Sequence, residues 1–176
     1  MLYDTKYCIH NYYMKKILTF FFFSITSVIV FGQSPVVVSM IIFPLQEKHT
    51  HGSSLVALPN GDYLAAWFYG SGEKSADDVK IMGARLKRGQ KKWRAPCVLA
   101  DTPGLPDCNP VLFLNRNGKL FLGWIAVQAN RWEFSILRYK TSANYLKGGA
   151  PVWNWQDNIL LKPGEEFANE VAARFK

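Results

Sequence analysis

The sequence predicts an all-β fold built from a repeated four-stranded antiparallel unit. Two observations predict it. The stretch HGSSLVALPNGDYLAAWFYG (His51 to Gly70) has a near-copy in NPVLFLNRNGKLFLGWI (Asn109 to Ile125). Asn60-Gly61 matches Asn117-Gly118 at a period of about 57 residues, and Trp67 and Trp124 follow those glycines at the same distance. Repeats of four antiparallel strands at roughly 40–60 residues mark propeller blades. The chain is therefore expected to hold about two blades of an incomplete β-propeller. The competing arrangement is an ordinary sandwich with two coincidentally similar hairpins.

The elements follow in order. Met14-Lys15-Lys16 precedes an apolar run from Ile17 to Phe31, ended by Gly32. This reads as a signal peptide over residues 1–32, with Met14 an alternative true start. The run is shorter than the ~20 apolar residues of a membrane span, which disfavours a retained anchor. VVVSMIIF (Val36 to Phe43) is a β-type run ended by Pro44. Ser54–Leu58 and Tyr63–Phe68 are strands around a Pro-Asn-Gly-Asp turn, where Pro presets φ and Asn-Gly accepts positive φ. Asp78–Leu86 is a third strand and Pro96–Ala100 a short fourth near an edge, since proline lacks a donor. The second unit repeats this, with a turn expected to be one residue longer: strands around Asn117-Gly118, then Glu133–Thr141, then Trp153 and Trp155, then Ile159–Leu161. EEFANEVAARFK spaces Phe167, Val171 and Phe175 as an amphipathic helix.

Composition agrees with a globular chain: 49% hydrophobic, 15% aromatic, 19% charged. The net charge of +8 concentrates in RLKRGQKKWR, Arg85 to Arg94. That run reads as a solvated turn between strands, and export argues against a nucleic-acid partner. Binding of an acidic polymer through it is a minor alternative, whose mark is salt sensitivity. Cys97 and Cys108 remain after cleavage, and spacing alone leaves open whether they bridge. No Cys/His spacing suggests a zinc site.

The ordered motifs HGSSL, LPNGDYLAAWF, Asp77-Asp78-Val79 and NPVLF resemble the sialidase (neuraminidase) superfamily, in its BNR-repeat-like branch. The resemblance covers most of His51 to Gly164. The signal peptide implies a periplasmic or secreted protein, and the resemblance implies a six-bladed β-propeller and hydrolysis of terminal sugars from glycans. It implies no cofactor, and no nucleic-acid or membrane partner after signal cleavage. The family's Asp-box turns are degenerate here. Leu86 to Trp93 keeps Gly89 and Trp93 without the acid or hydroxyl, and Ser142-Ala143-Asn144 precedes Trp153 with extra residues between.

The resemblance also places the chemistry. Sialidases use an arginine triad for the substrate carboxylate, an Asp as general acid/base, and a Tyr nucleophile paired with a Glu, an exception to the two-carboxylate scheme. The first arginine's position holds His51-Gly52-Ser53 here, which weakens the inference to sialic acid. The acid/base position falls in the loop Tyr69 to Asp78, so Glu73, Asp77 and Asp78 are the catalytic candidates. Each has a plainer reading: Glu73 as an exposed loop residue, Asp77 and Asp78 as loop ties accepting backbone N–H bonds. His51 and Arg131 are the substrate-binding candidates, against burial for His51 and cation–π packing of Arg131 with Trp132. Trp67 and Trp124 are expected in the core. The nucleophile and the later arginines would come from blades beyond Lys176, so the chain alone is expected to be inactive. The alternative function is a non-catalytic extracytoplasmic carbohydrate-binding propeller. N-terminal sequencing of exported protein should give a start at or near Gln33; a start at residue 1 or 14 would refute the signal peptide.

Overall fold

A computed structural model describes residues 12–19, 36–160, 162 and 164–175. It divides into two units, Met1–Ser39 and Met40–Lys176. In the first, residues 12–19 form a helix, α1, with exposed side chains. Most of the expected signal peptide lies outside the described residues. No described helix is long and apolar enough to cross a membrane.

The second unit is two consecutive antiparallel meanders. β1 (His49–Ala57), β2 (Tyr63–Gly70), β3 (Lys80–Leu86) and β4 (Cys97–Ala100) form one four-stranded sheet in chain order. β5 (Asp107–Leu114), β6 (Leu120–Ala126), β7 (Ile136–Ser142) and β8 (Trp155–Asn158) form the other. Neither sheet borrows a strand from the other, as a Greek-key sandwich would require. α2 (Glu165–Arg174) follows, with no buried residue.

The hairpins are built alike. Gly61 N–H donates to Leu58 O and Leu58 N–H to Asp62 O, each at 2.8 Å. Gly118 N–H donates to Asn115 O and Asn115 N–H to Lys119 O, each at 3.0 Å. Both glycines have positive φ, 82° and 71°. The two turns are therefore the same length, which corrects the longer second turn expected from sequence: Asn115 stands where Leu58 stands, beginning the turn instead of ending the strand. Both inner strands also carry the same irregularity. β1 shifts register between His51 and Ser54, and β5 between Cys108 and Val111. Gly52 (φ 62°) and Asn109 (φ 51°) occupy equivalent bulge positions.

Three expectations move. β1 begins at His49, not Ser54, because the bulge lets the strand continue past Gly52. VVVSMIIF forms no strand. Its Ile42 and Phe43 instead pack on Trp67, with the Phe43 and Trp67 rings 4.6 Å apart. The segment after Trp124 makes two short 3-10 turns, Gln128–Asn130 and Trp132–Phe134, before β7, and the last strand is Trp155–Asn158.

The core lies between the sheets. Leu64, Ala66, Phe68, Ile81 and Leu99 of the first sheet meet Leu112, Leu120, Leu122 and Trp124 of the second. The repeat shows how they meet. Tyr63/Ala65/Trp67 occupy the positions of Leu120/Leu122/Trp124, and Leu64/Ala66/Phe68 those of Phe121/Gly123/Ile125. The sheets thus stack head to tail: the Phe68 face of one covers the Trp124 face of the next. The second sheet's outward face carries the equivalent surface. There Phe113 and Phe121 stack at 4.7 Å, Phe121 and Tyr139 at 6.3 Å, and a groove of about 580 Å³ runs beside exposed Trp155.

Trp124 is fixed by polar partners as well as by packing. Its indole N–H donates to Asp107 Oδ1 at 2.8 Å, and Asp107 Oδ2 accepts the Thr102 N–H at 2.6 Å. Arg138 lies over the Trp124 ring and donates to the Thr102 hydroxyl at 2.8 Å. Burial pushes the Asp107 carboxyl above the usual range, despite the donors from Thr102 and Trp124 and the charge of Arg138. Both cysteines among the described residues serve packing: the Cys97 thiol donates to Gly83 O and the Cys108 thiol to Glu73 O. Trp124→Ala should cost about 3–5 kcal/mol in denaturant unfolding, from cavity and lost burial. Trp124→Phe should cost about 1–3 kcal/mol, since Asp107 then lacks a buried donor. An unchanged stability in Trp124→Phe would show that the indole N–H contributes nothing.

Candidate functional site

One end of the inner strands gathers loops from both sheets. The start of β1 supplies His49 and His51. Residues i and i+2 of a strand share a face, and these share the face of Phe68. His49 stacks on the Phe68 ring at 5.6 Å, and His51 meets it edge-on at 5.7 Å. Gly52 is required here, because a Cβ would lie 2.9 Å from that ring. The β2–β3 loop supplies Glu73, Asp77 and Asp78. The β6–β7 loop supplies Arg131 and Trp132.

The β2–β3 loop is tied internally and to its neighbour. Asp78 Oδ1 accepts the Ser71 N–H at 2.9 Å, while Oδ2 accepts the Ser71 hydroxyl at 2.7 Å and Lys48 Nζ at 2.6 Å. Lys48 and the two Ser71 donors hold the Asp78 carboxyl well below the usual carboxylate range, and Asp78 in turn raises Lys48. This is the loop-tying arrangement, and it keeps Asp78 ionised. Gly70 is needed for the loop's return, since a Cβ there would sit 2.6 Å from the Val79 Cα. Asn130 Nδ2 donates to Lys74 O at 3.0 Å, joining the loops of the two sheets, and Lys74 Nζ lies 5.8 Å from the Trp132 ring centre.

The other candidates sit as follows. Glu73 is half-buried, and its carboxylate lies among the imidazoles: coordinating atoms of His49, His51 and Glu73 fall within 4.8 Å of one another. Asp77 is exposed. His51 is exposed beside Phe68 rather than buried under a loop. Arg131 stacks over Phe134 at 5.2 Å and pairs with Glu133 at 3.5 Å, so its cation–π partner is Phe134 and not adjacent Trp132. The Glu133 carboxyl is lowered by its own backbone N–H and by Arg131. His49 was missed by sequence reasoning, although the alternating His-Thr-His pattern was a readable signal once β1 is known to reach that far.

Asp78 gives a pH dependence with a definite sign. A carboxyl depressed in the folded state stabilises above the unfolded pKa, near 3.9, and that contribution is lost as pH falls toward the folded pKa. Lys48→Met should therefore raise the Asp78 titration midpoint toward 3.9, as followed by carboxyl NMR. An unmoved midpoint would show that Ser71 alone sets it.

The profile of the BNR repeat-like domain family matches residues 61–170. Among solved structures, the chain is similar to Zg3597, a family 117 glycoside hydrolase produced by the marine bacterium Zobellia galactanivorans. The TM-score is 0.51 at 14% identity, covering 73% of this chain and 46% of that one. The Hadza microbial sialidase Hz136 gives 0.48 at 13% identity, over 62% and 26% of the two chains. The endo-arabinase from Bacteroides thetaiotaomicron VPI-5482 gives 0.48 at 16% identity, over 73% and 48%. The chain thus spans between about a quarter and a half of the length of these proteins. No curated protein matches. The family profile covers more than half of the chain, and the chain belongs to the BNR repeat-like domain family.

Proposed function

We propose that this chain is the N-terminal part of an exported, sialidase-like glycoside hydrolase that acts on terminal sugars of glycans. The observation that carries the reading is the convergence of His51, the carboxylates of the β2–β3 loop and Arg131 from both sheets onto one end of the inner strands. In a ring of blades that end opens on the central pocket. Residues 1–32 serve as the signal peptide, so the site works in the periplasm or outside the cell.

The acid/base group of this reading lies in the β2–β3 loop. A general acid must hold a proton near its working pH. Asp78 is kept ionised by Lys48 and Ser71, so the role falls to Glu73 or Asp77, with Asp78 positioning the loop. His51 and Arg131 bind sugar hydroxyls or a carboxylate. The second reading is a binding propeller without catalysis. The lack of an arginine at His51 to Ser53, and the Lys48–Asp78 tie, favour it.

Further blades complete the pocket. The partly exposed Phe113/Phe121/Tyr139 surface repeats, position for position, the face that the second sheet covers on the first. At roughly 25 cal/mol per Å², leaving a few hundred Å² of it in water forfeits several kcal/mol, a large part of a small domain's stability. Residues 33–176 alone should show no activity on a panel of fluorogenic glycosides and should self-associate in light scattering. In a protein extended by further blades, Glu73→Gln or Asp77→Asn should lower the rate by about 10²–10⁴. Near-wild-type rates for Glu73→Gln, Asp77→Asn and Asp78→Asn would remove the catalytic reading of this loop, and binding without turnover would establish the second reading.

A further inference from the structure

We propose that His49, His51 and Glu73 form a site for a divalent cation of the zinc type at the loop end of β1. The sequence spacing had suggested no zinc site, because the third ligand comes from a different element. The fold supplies it. The strand puts the two imidazoles on one face, and the β2–β3 loop brings the Glu73 carboxylate to them. All three coordinating atoms lie within 4.8 Å of one another.

The geometry is close to a coordination sphere. Bonds of about 2.0–2.1 Å in a tetrahedral site hold neighbouring ligand atoms about 3.3 Å apart. Small rotations of two exposed imidazoles and one carboxylate close the remaining distance. Two imidazoles with one carboxylate select a borderline metal such as zinc. Calcium would demand six to eight oxygens, and magnesium a mostly hydrated octahedron.

The surroundings hold the ligands in place. Phe68 packs on both histidine rings. The Glu73 carbonyl accepts from the Cys108 thiol, and the next carbonyl, of Lys74, accepts from Asn130. Glu73 is thereby fixed to β5 and to the β6–β7 loop while its side chain turns toward the histidines. Three protein ligands leave a fourth position open, as in zinc sites that bind water or substrate. An ion there would polarise an oxygen of whatever enters the cleft. With the ion bound, Glu73 is a ligand, and acid/base work by this loop rests with Asp77.

The test is equilibrium titration of the full chain with Zn(II), and with Co(II) followed by visible absorption, in the absence of any sugar. We expect one saturable equivalent with the absorption of a four-coordinate Co(II) centre. Second-shell partners alone are worth about 10–100-fold in affinity, so His49→Ala, His51→Ala and Glu73→Gln should each weaken binding by at least about tenfold. Circular dichroism should show all variants folded. Absence of saturable binding would overturn the site, as would affinity unchanged in the His49/His51 double variant or in Glu73→Gln. The readout uses no glycan, so this outcome and failure of the hydrolase reading are separable.

Discussion

Trp124 stands against the Phe68 face of the first sheet, and the rest of the unit depends on that contact. A single four-stranded meander buries only one face at a time, and each sheet here has two apolar faces. Stacking them head to tail covers one face of each. It also fixes where the inner strands lie: β1 runs beside β5, and Leu112 of β5 donates its backbone N–H to the Ser54 hydroxyl of β1 at 2.9 Å. With the inner strands set, the loops at their ends have no freedom to be elsewhere. The gathering of histidines, carboxylates and Arg131 follows from apolar packing some distance away.

Much of this was legible in the sequence, because local chemistry and repeat agreed. Asn-Gly turns require positive φ, tryptophans at a constant offset mark one face, and the period separates two sheets from one. The failures have physical causes. VVVSMIIF has every strand propensity, yet Ile42 and Phe43 cover Trp67 as side chains do, without a ladder. Propensity describes what a residue fits, and a strand needs a partner edge. The bulges leave no common local signature, because one falls at Gly52 and the other at Asn109 before Pro110. Only the paired register shows both as the same kink.

The site was less legible than the fold. The loop carboxylates were located through the family resemblance, which places an acid/base after the second strand, but what distinguishes them is tertiary. Lys48, thirty residues upstream of Asp78, decides which carboxylate is held ionised. His49 lay just outside the strand as read, and its partner Glu73 is separated from it by an entire hairpin. Pairings between elements leave no periodic trace in a single sequence.

Arg85 has a consequence at the other end of the strands. Its guanidinium is buried against Asp62 of the first hairpin at 3.2 Å, and it donates to the Tyr145 and Gly149 carbonyls beyond β7. Burial alone would raise the Asp62 carboxyl, but donors from Arg88, Arg85 and Asn60 bring it below its ordinary value. Opening either sheet alone would strand a buried charge, and breaking one side of such a pair is far costlier than its net contribution when intact. The guanidinium therefore acts as a cooperativity lock. The two meanders form one foldon, and their slowest-exchanging amides are expected across β2, β3 and β6 together rather than within one sheet.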